Sequence, residues 1–274
     1  MNPQPLESEI KKRYSGLDYL KYENANEEAF LNLQILALED AGFIEEEVHT
    51  EAQLRTEGRH RGAISEQRAF LRAFVPLCEE FVQPRILDVG CATGSLLAWL
   101  RERGWETVGV EISAPQAEYA RRERKLDVRS LPLAENKFPD GHFNAVLASH
   151  LIEHLNDPAA LVKEVHRILA PGGCFFVTTP NIAGFQARLF KGRWRSAIFD
   201  HLYLFSVKTL TRLLEENGFT IEKIATWGGL AAGTAPVSLK RIFDKAAKRF
   251  GFGDVMIIKA KKVRSYEILP FFNS

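Results

Sequence analysis

Apolar positions along this chain change texture at Pro84. Before it, short apolar groups alternate with Glu, Lys and Arg. Phe30, Leu33, Ile35, Leu36, Ala37 and Leu38 form an apolar-rich helical pattern over 28–41, and Gly42 is placed to end it. Phe70, Leu71, Phe74, Leu77, Cys78 and Phe81 recur at threes and fours, which predicts a second amphipathic helix over 65–82. From Pro84 onward, strand-like runs alternate with helical ones. Strands are predicted at 85–89 (RILDV), 107–110, 126–130, 143–149 (FNAVLAS), 174–179 (CFFVTT), 219–226 and 255–260 (VMIIKA). Helices are predicted at 94–103, 113–125, 157–169 and 206–217. Ser113, Pro115 and Gln116 give the second of these a cap, an early proline and a capping-box partner. Pro171–Gly172–Gly173 is expected to turn the chain between helix and strand.

This alternation predicts an α/β fold: a doubly wound, mostly parallel, seven-stranded Rossmann-like sheet covered on both faces, compatible with an antiparallel last strand. Residues 1–83 read as an α-helical N-terminal extension. Residues 84–274 read as the ligand-binding domain, with an insertion at 181–205. Open sheets of this kind bind ligands beyond the carboxyl ends of their strands.

Composition narrows the partners. The 274 residues carry 36 Lys and Arg against 35 Asp and Glu, a net charge of +1, so no basic field marks a nucleic-acid binder. Three scattered cysteines build neither a disulfide framework nor a zinc cluster and suit a reducing compartment. The first residues lack an apolar signal core, and no run approaches the ~18 apolar residues of a membrane span. The expected location is the cytoplasm.

The strongest chemical signal is ILDVGCATGSLLAWL, residues 86–100. A strand ends at Asp88, a turn follows through Gly90, Cys91, Ala92 and Gly94, and a helix begins. Glu111 ends the next strand, 21 residues after Gly90, where an acid can accept both hydroxyls of a ribose. A dinucleotide is the first alternative ligand. Its fingerprint is G-x-G-x-x-G, whereas this turn reads G-x-x-x-G with Ala92 inside it, which disfavours a pyrophosphate.

DVGCATG, the acid of VGVEIS, FPDGHFNAVLASHLIEHLNDP and the LAPGG before CFFVTTPN resemble the class I S-adenosylmethionine-dependent methyltransferases. Within them the chain is most similar to the bacterial group holding ubiquinone-biosynthesis O-methyltransferases and small-molecule or glycan methyltransferases. The resemblance covers roughly 85–227 and the terminal VMIIKA. It implies S-adenosylmethionine as cofactor and S-adenosylhomocysteine as product. It implies that Asp88, Gly90, Cys91, Ala92 and Gly94 line the methionine end, that Glu111 takes the ribose, and that Ile112, Leu133 and Ala134 border the adenine. Ser149 and His150 should lie near the sulfonium. Asp127 comes too early and Glu135 slightly late to supply the acid many relatives place at the adenine edge. Asn144 stands where an Asp is common.

Methyl transfer needs an acceptor held in line and water excluded; an oxygen acceptor also gives up a proton. His150, Glu153, His154 and His201 are the candidates for that work. H-x-x-E-H also matches an inverted zinc-protease pattern by letter. It follows a strand rather than lying in a long helix, and Asn156–Asp157–Pro158 interrupts it, so the match is read as accidental and no metal is assigned. The 181–205 insertion carries Arg188, Lys191, Arg193 and Arg195 among Phe185, Phe190, Trp194, Phe199 and Tyr203. Arg188, Arg193, Trp194, Arg195 and Tyr203 are the expected acceptor contacts, cations for a phosphate or carboxylate and rings for a ring.

Residues 237–250 can form one helix with an apolar stripe and a strongly basic remainder, suited to peripheral contact with an anionic membrane. The expected activity is methyl transfer, to oxygen, of a small-molecule, glycan or lipid-linked acceptor. A cofactor-binding partner protein without turnover and a nicotinamide-dependent oxidoreductase are the alternatives.

Overall fold

The computed structural model describes residues 84–228 and 251–263, together with Leu31, Gln34 and Ile35. Among these, seven strands form one sheet: β1 (Arg85–Val89), β2 (Glu106–Val110), β3 (Asp127–Arg129), β4 (Phe143–Ser149), β5 (Leu169–Pro180), β6 (Phe219–Trp227) and β7 (Val255–Lys262). Their order is β3-β2-β1-β4-β5-β7-β6. The first five run parallel, and β7 is antiparallel to both β5 and β6. The strand order reverses between β1 and β4, so the crevice of a doubly wound sheet opens past Val89 and Ser149.

Side-chain alternation along β1 shows why the sheet is covered twice. Leu87 and Val89 enter one core with Phe143, Val146, Phe175 and Val177, while Ile86 enters the other with Leu147, Phe176 and Ile257. Helix α3 (Pro158–Ile168) covers the first face through Leu161, Val162, Val165 and Ile168. Asp157 caps it by accepting the Ala160 N–H at 3.0 Å. Helix α4 (Val207–Glu215) joins that face through Leu210 and Leu214 and starts on a Ser206–Thr209 capping box. Helix α1 (Ser95–Arg101) covers the second face through Leu96 and Leu100, and Leu31 and Ile35 pack there as well. Leu31, Gln34 and Ile35 are helical, inside the helix expected over 28–41. The helices expected over 65–82 and 237–250 lie outside the described residues.

Two local expectations are corrected. Pro171–Gly172–Gly173 does not end a turn before β5 but lies within it. Leu169 already pairs with Phe143, the register shifts once, and Cys174 then pairs with Ala145, so the strand absorbs the irregularity. Gly172, at φ 82°, supplies the left-handed residue that this needs. Ser113 occupies the cap position of helix α2 (Ala114–Glu123), but no side-chain cap hydrogen bond forms. Its backbone N–H goes to Glu111 instead, at 2.7 Å.

Candidate functional site

The turn after β1 is held from its neighbours rather than left open. Gly90 and Cys91 both donate their N–H groups to the Val110 carbonyl, at 2.7 and 3.2 Å. Ala92 donates to Glu111 Oε2 at 2.9 Å. Gly90, Ala92 and Gly94 have φ of 80°, 52° and 76°, the left-handed region that a tight strand-to-helix turn demands. Three successive N–H groups are thus committed inside the protein. A phosphate cradle would need such donors for its ligand, so the turn is poorly equipped for a pyrophosphate.

The charges beside the turn point the same way. Asp88 is 1% exposed, and its Oδ1 is buried without a hydrogen-bond partner. Burial, helped by the charge of Glu111, pushes its pKa from an ordinary 3.8 up to about 7. Burial raises Glu111 also, opposed by the backbone N–H groups it accepts from Ser113 and Ala92. Two crowded carboxyls would repel an anion, whereas a cation would relieve both. A nucleoside ligand bearing an ammonium and a sulfonium, as S-adenosylmethionine does, fits this donor set. Both Glu111 oxygens accept backbone N–H groups, and the carboxylate retains capacity to accept a ribose hydroxyl.

Other expected cofactor residues divide. Ile112 is 38% exposed at the end of β2, an apolar surface for a ring. Leu133 and Ala134 begin a 3-10 turn, Leu133 against the core and Ala134 exposed. Ser149 lines a cleft with Gln34, Leu96, Ala148, Thr178 and Ile257. Cys91 departs from expectation at its side chain. A Cβ on Gly109 would lie 2.5 Å from Cys91 Sγ, so the thiol packs onto β2, buried with Leu97 and Val128. What Cys91 offers a ligand is backbone. Asn144 is explained: its Oδ1 accepts the Arg85 N–H at 2.7 Å.

The four candidates for proton chemistry come together. His150 follows β4 in the left-handed region, φ 50°, with its N–H on the Thr178 carbonyl at 2.9 Å. Its Nδ1 lies 3.3 Å from Glu153 Oε1. Glu153 is 1% exposed and accepts the Thr179 hydroxyl at Oε2, at 2.9 Å. Burial pushes Glu153 up, but His150, its own backbone N–H and the charge of His154 together more than offset it, leaving the carboxyl below its ordinary value. Burial lowers His154. The rings of His154 and His201 meet edge to face with centroids 4.8 Å apart. Leu151, next to His150, packs over Gly90: a Cβ there would lie 3.4 Å from Leu151 Cδ1.

The insertion is stitched onto this loop. His154 Nδ1 meets the Asp200 carbonyl at 2.9 Å, the Tyr203 N–H reaches the Glu153 carbonyl at 3.1 Å, and the Tyr203 hydroxyl reaches the Asn156 carbonyl at 3.1 Å. Arg188, Arg193 and Arg195 are exposed on it. Trp194 is buried, so it anchors the insertion rather than presenting a ring to an acceptor. Arg195 is near enough to Asp254 to oppose the rise that burial imposes on that carboxyl, to about 6. Sequence reasoning did not single out Leu151, Thr179 or Gln34. An apolar residue beside a catalytic candidate and a strand threonine carry no motif signal, and their roles arise from contacts distant in sequence.

A family model described as a methyltransferase domain matches residues 59–224, more than half of the chain. A Mycolicibacterium smegmatis protein named "Probable S-adenosylmethionine-dependent methyltransferase" is 33% identical over 138 residues, 50% of this chain and 52% of that protein. A ubiquinone biosynthesis O-methyltransferase of Pseudomonas aeruginosa is 29% identical over 104 residues, 35% of this chain and 44% of that enzyme. The chain thus spans about half the length, or less, of these relatives. The crystal structure of an Archaeoglobus fulgidus S-adenosylmethionine-dependent methyltransferase shares the fold, with a TM-score of 0.51 at 23% identity over 71% of this chain and 92% of that one. With the strand order, the turn after β1 and the paired acids Asp88 and Glu111 in place, the chain belongs to the class I S-adenosylmethionine-dependent methyltransferases.

Proposed function

We propose that this chain transfers a methyl group to an oxygen of a small-molecule, glycan or lipid-linked acceptor. The observation that carries the reading is the junction at Leu151. It covers Gly90 of the turn and is flanked by His150, Glu153 and His154. Cofactor cradle and polar cluster are therefore one continuous site.

Bound S-adenosylmethionine supplies an electrophilic methyl group on a sulfonium. Asp88 and Glu111 hold its positive charge and ribose, and Ile112 gives the adenine an apolar surface. The Leu151 side chain keeps water from the turn. Glu153, close to His150 Nδ1, favours the tautomer with the proton on that nitrogen, which leaves Nε2 of a half-exposed ring to take the acceptor's proton. Exposed Arg188 and Arg193 give the acceptor's anionic groups a place to bind. The name of the P. aeruginosa relative supports an oxygen acceptor of quinone type.

The test is an untargeted metabolite comparison of a deletion strain with its parent, followed by turnover of each depleted methyl ether's precursor by the purified protein. A methyl ether that disappears from the strain and is formed by the protein is the expected result. Intact S-adenosylhomocysteine binding with no methylated product lost would favour the partner-protein alternative.

A further inference from the structure

We propose that Glu153, His154 and His201 form a binding site for one divalent transition-metal ion of the zinc type. One donor atom from each of the three lies within 4.8 Å of the others. Zinc holds nitrogen and carboxylate oxygen at roughly 2.0–2.2 Å in a tetrahedral arrangement, which sets two ligand atoms about 3.4 Å apart. Closing the cluster on an ion therefore shortens its separations by about 1.4 Å at most, within reach of side-chain movement.

Both imidazoles are already oriented as metal-bound imidazoles are. His154 Nδ1 meets the Asp200 carbonyl at 2.9 Å, and His201 Nδ1 meets the Ser196 carbonyl at 2.7 Å. A carbonyl oxygen only accepts, so each Nδ1 carries the proton and each neutral ring holds its lone pair on Nε2. A backbone acceptor behind the ring is the usual device that fixes the tautomer of a metal-binding histidine. The carboxylate supplies an independent observation. Glu153 is 1% exposed, Thr179 orients its Oε2, and the half-exposed ring of His150 lies 3.3 Å from its Oε1. A carboxylate buried this deeply is costly to keep charged, and a cation relieves it.

The ligand set differs from the one the letters H-x-x-E-H suggest. His150, the first histidine of that pattern, is half exposed and only flanks Glu153. The third ligand instead comes from the insertion, 47 residues beyond His154. The absence of a metal, as read from sequence, rested on the local pattern, which does not contain this triad. Two imidazoles and one carboxylate leave coordination positions open, as catalytic rather than structural sites do. On the methyl-transfer reading above, an acceptor hydroxyl taking an open position would lose its proton more readily.

The test uses the untagged full-length chain, stripped with a chelator and titrated with Co2+ while its visible absorption is followed, then with Zn2+. One equivalent of Co2+ with ligand-field bands, displaced by Zn2+, is expected. Glu153→Gln, His154→Ala and His201→Ala should each weaken Co2+ affinity by about tenfold or more. His150→Ala, which removes a neighbour of Glu153 but no ligand, should weaken it less than any of the three. Calorimetry with S-adenosylhomocysteine on the same variants reports folding, and His201→Asn replaces His201→Ala should that variant lose it. No Co2+ uptake by the wild type, or uptake undiminished in folded His201 and His154 variants, overturns the site. Because cofactor binding is read separately, that outcome leaves the methyltransferase reading standing.

Discussion

Ala92 donates its backbone N–H to Glu111 Oε2 at 2.9 Å, which ties the turn after β1 to the end of β2. The acid expected to serve only a ribose therefore also holds the cradle in shape. Its other oxygen accepts the Ser113 N–H and fixes the start of α2. Glu111→Ala removes both, and hydrogen bonds to a charged acceptor are worth about 1.5–3 kcal/mol each. S-adenosylhomocysteine affinity should fall by about tenfold or more, and the melting temperature of the ligand-free protein should fall with it. Calorimetry and a thermal scan check the pair; unchanged affinity contradicts the placement of Glu111.

Asp88 makes the ligand-free protein sensitive to pH. Its carboxyl titrates near 7 when folded against 3.8 ordinarily, so the folded state holds the proton more tightly. Its contribution is then fully present below pH 3.8 and is lost as pH rises through about 7. At about 1.4 kcal/mol per unit, the loss is on the order of 4 kcal/mol. Asp88→Asn should flatten stability between pH 4 and 7, raise the melting temperature at pH 8, and weaken cofactor binding. Denaturant unfolding across that range is the measurement. A variant as pH-dependent as the wild type would remove Asp88 as the cause.

Gly109 is where the core and the cradle meet. A methyl group there would lie 2.5 Å from Cys91 Sγ and 2.9 Å from Leu97 Cδ1. Overpacking of this kind costs about 1–3 kcal/mol. Gly109→Ala should lower the melting temperature and weaken S-adenosylhomocysteine binding together, because Cys91 cannot move without the turn. A fall in stability with unaltered binding would show that the turn tolerates the displacement.

Arg188 and Arg193 project from the insertion without a role in the sheet. Replacing both by Ala should raise KM for an anionic acceptor while leaving S-adenosylhomocysteine affinity as it was. Steady-state kinetics on the acceptor found by metabolite comparison provides the reading. Equal loss of cofactor binding would make the insertion a cover for the cofactor instead.

The parts of this site that are local in sequence were legible, and the parts that depend on distant contacts were not. Asp88 through Gly94 and Glu111 announce a nucleoside site because strand, turn, helix and strand-end acid follow one another in order. Which way Cys91 points is set by the bare Cα of Gly109, 18 residues later, and by Leu97 on α1. The Leu169–Phe143 pairing draws Pro171–Gly172–Gly173 into β5, and no local turn signal carries that. Trp194 is expected from its place in the insertion to meet an acceptor, yet its ring is buried. His201 meets His154 only because the insertion folds back on the loop after β4.

The central claim is that the cradle after β1 accepts a nucleoside bearing an amino-acid tail and not a dinucleotide. Isothermal calorimetry of the full-length chain, with S-adenosylhomocysteine in one titration and NADH in another, tests it most directly. The account predicts saturable one-to-one binding of S-adenosylhomocysteine, strongly reduced in Asp88→Asn, and no heat with NADH. Saturable binding of NADH, or none of S-adenosylhomocysteine, would contradict it.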